Sequence, residues 1–416
     1  MNMEYLDLNM ELTDEQLDLK KSVNKFAREV LRPAAMELDK LANPEDVLKK
    51  DSVYWDCMRQ MKELGYHTVY IPDNYGGLGL SPLEAHIFWE EIGWGSSGFA
   101  VSIGVDCFPA FFASMAPDDG DKVIEEVVKP FVEKVDNSFI GCWAITEPNH
   151  GSDQLTIGLP WFKDPKITGQ VSARLDGDVW VLNGQKSSWV SNGPQATHAL
   201  LFLNIEKSMG LAGGGVAVVP LDLPGVSKGK CLDKMGQREL PQGEIYFDHV
   251  RLPKHFMLTQ PDTYEAMLDA TLAIANATMG AMFTGVARAA FEEALDYSKV
   301  RVQGGKLLCE HQLVQKKLFD MFQKVETARA ISRAVMNYNF TNFPPVTRYS
   351  ILSKVYCTNA AFEIANEAVQ LFGGYGVSKE YYIEKLLRDA RASLIEDGSN
   401  EVLALTAARA LIEESE

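Results

Sequence analysis

The stretch VWVLNGQKSSWVSNGPQATHALLFLNI (179–205) decides the fold. Two short β-rich runs, VWVLNG (179–184) and ALLFLNI (199–205), flank a segment broken by Ser, Asn, Gly and Pro. Two more runs follow, GVAVVPL (215–221) and GEIYFDHVRL (243–252), again bounded by turn-forming residues. Branched and aromatic residues in runs this short, punctuated by Gly, Asn and Asp, predict strands joined by turns. Residues 139–253 therefore read as an antiparallel sandwich or barrel rather than an array of alternating strands and helices.

Outward from this block the period changes. Over 12–133 the pattern is helical: Thr13 is placed to cap a helix, with Gln16 three residues on as in a capping box, and Leu17, Val23, Phe26, Val30 and Leu31 recur at helical spacing. IPDNYGGLGLSP (71–82) marks a tight loop. Beyond Asp262 helical patterns return, with ATMGAMFTGVARAAFEEALDYSKVR (277–301) the most regular. The order α, β, α predicts an α+β chain with a helical domain over 1–135, an antiparallel β domain over 136–258 and a helical domain over 259–416. A length of 416 residues suits two or three such units. No G-x-G-x-x-G follows a predicted strand; GGYGVS (373–378) keeps part of that pattern but follows a helix, so a Rossmann-type dinucleotide site is not expected.

A formal net charge of −17 argues against nucleic acid as the main partner, because neutralising phosphates takes a surplus of Lys and Arg. The six cysteines (57, 107, 142, 231, 309, 357) are scattered, without C-x-x-C, which predicts free thiols and no metal site. No apolar run reaches the ~18 residues of a membrane span, so no transmembrane helix is expected. MNMEYLDLNMELTDEQ (1–16) lacks the basic and apolar regions of a signal peptide, so a cytoplasmic or processed organellar protein is expected.

Six segments carry a resemblance. They are LGYHTVYIPDNYGGLGLSP (64–82), AITEPNHGSD (144–153), KMGQRELPQGEIYFDHVRLP (234–253), YSKVRVQGGKLLCEHQ (297–312), QLFGGYGVSKEYYIEKLLRDAR (370–391) and IEDGSNEV (395–402). In this order and spacing the chain resembles the acyl-CoA dehydrogenase family. That resemblance implies a C-terminal four-helix bundle, FAD between the bundle and the β domain, and an acyl-CoA thioester that loses a proton to a base and a hydride to the flavin N5. It also implies transfer of electrons to an electron-transferring flavoprotein and a homo-oligomer, a dimer or a tetramer.

Site residues follow by matching positions. Thr146, with the backbone at Ile145, matches the residues that bond the flavin ring, and Ser152 one that contacts flavin or the pantetheine of CoA. Trp189 and Ser191 match an aromatic beside the flavin and a hydroxyl near N5; the family usually has one residue between Lys and Trp, and here Ser187 and Ser188 intervene, which predicts a bulge. Arg301, Gln312, Gln370, Gly373 and Gly374 match residues around the FAD phosphates and ribose, the last three from a neighbouring subunit in the family. Gly304 stands where the family commonly has Phe, and His150 replaces a usual Ala.

Proton abstraction from a thioester needs a carboxylate near the operating pH. Where the family's Y-E-G-T-S-E carries its Glu, this chain has Asp397, followed by Gly398 at the substrate, with Glu396 replacing the Tyr. Other members carry the base on an earlier helix, at positions matched here by Ala275 and Asn276, so Asp397 leads and Glu396 is second. An Asp is shorter by one methylene, which suits a bulkier or ring-shaped acyl group. Asp106, within the otherwise apolar SIGVDCFPAFF (102–112), is costly to bury without a role or a partner. It resembles the Asp that alicyclic acyl-CoA dehydrogenases of the family use in this region, which implies that it binds or deprotonates a ring substrate; the alternative is a helix N-cap or a hydrogen-bonded surface Asp. The pair Glu90 and Glu91 reads as structural. Rival activities on the same fold are a nitroalkane-oxidase-like reaction with an Asp base, an acyl-CoA oxidase, and a catalytically idle flavoprotein.

Overall fold

Residues 12–115 and 121–413 are described by the computed structural model. Most of the start of the chain, residues 1–11, and the last three residues lie outside them. Helix α1 (Asp14–Phe26) begins at the expected cap: the Thr13 hydroxyl accepts the Gln16 N–H, and the Gln16 side chain accepts the Thr13 N–H. It continues through one wide turn into α2 (Arg32–Asp39), and α3 (Val53–Glu63), α4 (Pro82–Gly95) and α5 (Ser97–Ser114) complete the main helices of this layer, with the short α6 (Asp121–Val123) and α7 (Lys129–Glu133) after them. A second capping box, Ser81 with Glu84, starts α4 at the end of the 71–82 loop.

One eight-stranded sheet follows: β1 (Gly141–Ala144), β2 (Ser172–Asp176), β3 (Val179–Lys186), β4 (His198–Asn204), β5 (Gly214–Pro220), β6 (Val226–Lys228), β7 (Ile245–Pro253) and β8 (Met257–Thr259). Its order is β6-β7-β3-β2-β4-β5-β8, with β1 branching onto β4. The four quoted runs are β3, β4, β5 and β7. The sheet is mixed rather than purely antiparallel, because β1 arrives from the helical layer and pairs parallel to β4, and β2 makes one parallel pairing with β4.

Three long helices and two shorter ones close the chain. α8 (Pro261–Val300) runs through the middle, packed by α9 (Gln312–Thr341), α10 (Thr347–Phe372) and the N-terminal α4, with α11 (Ile383–Ser393) and α12 (Asn400–Glu413) beside α10. Small residues let these axes approach closely: a Cβ at Gly280 would fall 2.1 Å from Ser353 Oγ, and one at Gly285 2.0 Å from the Glu90 carbonyl. Charges buried at this junction are paired. Arg288 Nη1 bonds Glu90 at 2.9 Å and Glu91 at 2.7 Å, and Arg329 adds to Glu90. Burial would raise the Glu90 carboxyl, yet Arg329, Arg288 and Arg333 hold it well below the usual carboxylate range.

α5 and α8 are long and apolar enough, by length and composition, to cross a bilayer, which a search for uninterrupted apolar runs overlooks because Ser, Gly, Thr and Asp are scattered through them. In the folded chain 89% of each such window is buried against other elements. All six cysteines are unpaired, four of them buried.

Candidate active site

A cavity of about 1030 Å³ opens where the sheet, α5 and α11 meet. Its floor is the 145–152 loop after β1; its sides are the 187–191 turn after β3, the 233–244 connection before β7, the face of α11, and the 395–398 loop, with Val101 and Val105 of α5 as apolar wall.

A buried Lys–Glu pair fixes the floor. Lys186 Nζ, at the end of β3, donates to the Ile145 carbonyl at 2.8 Å and to Glu147 Oε1 at 2.7 Å, while Glu147 also accepts the N–H groups of Gln170 and Val171. His150 is bonded to Asp153 at 2.6 Å and makes a turn closed by backbone bonds to Glu147. Ser152 reaches across: its Oγ accepts the Ser399 N–H at 2.9 Å, tying the floor to the loop of Asp397.

Ile145, Thr146, Ser152, Trp189, Ser191, Asp397 and Gly398 all line this cavity. The one extra residue between Lys186 and Trp189 does not bulge the strand. β3 stops at Lys186, and Ser188 and Trp189 form a turn that leaves Trp189 56% exposed at the mouth. Ser191 Oγ then receives Gln242 Nε2 at 3.0 Å. The irregularity of β3 lies instead between Leu182 and Gly184.

Asp397 sits on a loop held from below. Lys354, fully buried on α10, donates to the Gly398 carbonyl at 2.8 Å and to Asn400 Oδ1 at 2.7 Å. Asp397 has φ +53° and Gly398 φ +100°; a Cβ on Gly398 would come within 2.9 Å of Leu155 and Leu403, so the turn needs glycine. Burial raises the Asp397 carboxyl to about 6 against the opposing charge of Lys354. Glu396, beside it, is raised to about 7, first by burial and then by the charge of Asp397, with Lys234 and a 3.1 Å bond from Gln237 Nε2 opposing.

Asp106 does not reach the cavity. Val105 lines it, and one residue on, about 100° around the helix, Asp106 faces the start of β1. There its Oδ2 lies 3.0 Å from Lys62 Nζ and its Oδ1 accepts the Gly141 N–H at 2.6 Å, both side chains fully buried. The carboxylate in the apolar run thus has a structural partner, and its assignment to substrate is corrected. Positions 275 and 276 hold no carboxylate; Asn276 Nδ2 bonds the Leu272 carbonyl.

Arg301, Gln312, Gln370, Gly373 and Gly374 form no part of the cavity wall within this chain and are exposed. Arg301 ends α8 and Gly373 ends α10, and the two ends meet where the Arg301 guanidinium lies 5.7 Å from the Tyr375 ring centre. Gly304 and Gly305, both at positive φ, make the tip of a two-residue hairpin between Val302–Gln303 and Lys306–Leu307, a turn that a Phe would strain.

The sequence matches three consecutive domain models: acyl-CoA dehydrogenase N-terminal domain over 13–112, middle domain over 142–250 and C-terminal domain over 266–412. It is 30% identical over 408 residues to the mitochondrial short-chain specific acyl-CoA dehydrogenase of Bos taurus, covering 97% of this chain and 92% of that one. The chain belongs to the acyl-CoA dehydrogenase family. Among solved structures, butyryl-CoA dehydrogenase from Megasphaera elsdenii superposes with a TM-score of 0.84 at 28% identity, covering 97% of this chain and all of that one (100%). A glutaryl-coenzyme A dehydrogenase in complex with glutaryl-CoA superposes with a TM-score of 0.85 at 26% identity, over 98% and 97%.

Acyl-CoA dehydrogenases are FAD enzymes, and the cavity residues fit that group. Trp143 Nε1, Ser187 Oγ and Arg391 Nη1, on residues that line the cavity, are buried without a partner among the described residues. Buried polar atoms are normally paired, so a ligand carrying several acceptors suits this wall. Four residues that shape the site, Lys186, Lys234, Gln237 and Lys354, were not foreseen. Lys354 alone had a signal, a charge within the otherwise mostly neutral helical run YSILSKVYCTNAAF (349–362).

Proposed function

We propose that this enzyme oxidises an acyl-CoA thioester with Asp397 as the base that takes the α-proton. The observation that carries the reading is the Asp397 carboxylate on the loop at the cavity wall, brought by burial to about 6, where it is ionised at neutral pH yet basic enough to accept a carbon-bound proton. Bound FAD supplies the hydride acceptor, with Thr146, the Ile145 backbone, Trp189 and Ser191 to hold its ring. Lys354 keeps Asp397 charged before substrate arrives and fixes the turn that aims it. Ser152 couples that turn to the floor, so that base and cofactor site move as one body.

The short Asp side chain and the apolar wall of Val101 and Val105 favour a bulky or alicyclic acyl group over a thin straight chain. Electrons leave to an electron-transferring flavoprotein. A second copy of the chain contributes Gln370, Gly373 and Gly374 to the cofactor, in a dimer or a tetramer; all three are exposed.

Anaerobic bleaching of the yellow protein by a panel of acyl-CoAs tests this. Cyclohexane- and cyclohexene-carboxyl-CoA are expected to bleach faster than linear esters. Bleaching by linear esters alone removes the alicyclic preference, and bleaching by a nitroalkane with no response to any CoA ester removes the substrate class.

A further inference from the structure

Proton abstraction needs one carboxylate, and the cavity wall presents two in adjacent positions. Glu396 is held by Gln237, whose Nε2 donates to Glu396 Oε2 at 3.1 Å and also lies 3.4 Å from Ser97 Oγ. With the amide nitrogen turned to the carboxylate, Gln237 Oε1 is left as a buried acceptor with no donor among the described residues, on a residue 1% exposed that lines the cavity. A buried carbonyl without a donor is unfavourable and rare.

The backbone keeps this carbonyl in place. Gln237 has φ +47°, in the left-handed region that a residue other than Gly, Asn or Asp seldom adopts. Its N–H is received by Asp389 Oδ1 at 2.6 Å, and Asp389 is in turn paired with the buried Lys385 at 2.6 Å. Strain maintained by a buried ionic network at a cavity wall points to a use for the strained residue.

The surrounding charge says what that use is. Lys354 faces Asp397, and Lys234 faces Glu396 while donating to the Leu240 carbonyl at 2.7 Å and Gln242 Oε1 at 2.8 Å. Each carboxylate of the pair thus has an ammonium group opposite it, and neither calls for a further cation. The unfilled capacity of the wall is for a neutral donor. Ser97 lies one helical turn before Val101 on α5, which puts the acceptor pair next to the apolar wall that receives the acyl chain.

We infer that Glu396 and the Gln237 carbonyl receive a hydroxyl borne by the acyl group, and that the enzyme selects a hydroxyacyl thioester over the plain hydrocarbon of the same length. The inference rests on the acyl-CoA reading and specifies its substrate. Glu396 acts here as a specificity residue, distinct from the base.

The test compares kcat/KM of the FAD-loaded enzyme for hexanoyl-CoA with 5- and 6-hydroxyhexanoyl-CoA. The wild type is expected to prefer one hydroxylated ester by roughly tenfold to a hundredfold, the discrimination of one hydrogen bond to a charged acceptor. That ratio falls to within about threefold in Glu396→Leu and in Gln237→Met. Flavin content and thermal midpoint report whether each variant is folded, and the wild-type ratio decides the matter even where a variant is not. A wild type that bleaches with hexanoyl-CoA and gains nothing from either hydroxyl overturns the inference and leaves the dehydrogenase reading standing. Equal losses on all three esters in both variants also overturn it, since the donor would then belong to the pantetheine arm common to every ester. If no CoA ester bleaches the flavin, the reading beneath the inference fails, and the inference with it.

Discussion

Replacing Lys354 by Met keeps the length of the side chain and removes its charge and donors. Two charge-assisted bonds are lost, to the Gly398 carbonyl at 2.8 Å and to Asn400 at 2.7 Å. Such bonds contribute about 1.5–3 kcal/mol each, but burial already holds the Lys354 amine down at about 8, so relief of that desolvation offsets part of the loss. A net destabilisation of about 2 kcal/mol is expected. The kinetic effect is more diagnostic. Asp397 works ionised, so activity falls as pH falls through the titration of the Asp397–Glu396 pair. Removing the cation that opposes burial disfavours the carboxylate and moves that acid limb upward, by about one pH unit. From a limb near 6, the variant at pH 6.5 then has roughly a third of the ionised base of the wild type, and at pH 9 the two are equally ionised. The pH profile of kcat/KM, followed by anaerobic flavin bleaching, reads this directly. An acid limb that stays in place while stability drops would refute the electrostatic role and leave Lys354 as a structural post.

Other expectations follow from the same contacts. Lys62→Met leaves the Asp106 carboxylate buried and unpaired and should cost about 3–5 kcal/mol in denaturant titrations, whereas Asp106→Asn should leave the substrate profile of the folded enzyme unaltered. Gly398→Ala drives a methyl into Leu155 and Leu403 and forces a strained φ; displacement of the neighbouring base should lower kcat by about a hundredfold, measured against an unchanged flavin spectrum. Lys186→Met unties the Ile145–Glu147 floor and should appear as flavin lost on gel filtration; full retention of FAD would show that the floor is held by other contacts.

Much of the fold was legible because its signals are local. The period change at each end of the β block, the capping residue Thr13, and the turn glycines act within a few residues of chain. The parallel seating of β1 on β4 was not, since it depends on where α5 and the preceding segment deliver the strand. The site divided along the same line. Residues on the 145–152 and 395–398 loops were found because they sit in compact motifs. Asp106 was misassigned because a hydrophobic context announces only that a carboxylate needs a partner, and Lys62, the partner, lies 44 residues away on another helix. Gln237 and Lys234 went unnoticed for the converse reason: nothing in KMGQREL indicates that a strained backbone and a salt-bridged α11 turn these side chains into the cavity.

The central claim is that Asp397, rather than Glu396 or Asp106, removes the α-proton. Stopped-flow bleaching of the FAD-loaded enzyme by its best acyl-CoA, compared across Asp397→Asn, Glu396→Gln and Asp106→Asn, tests it most directly. The account predicts a rate loss of at least about a hundredfold in Asp397→Asn alone. Bleaching at the wild-type rate in Asp397→Asn, with the loss appearing in Glu396→Gln or Asp106→Asn, would contradict it.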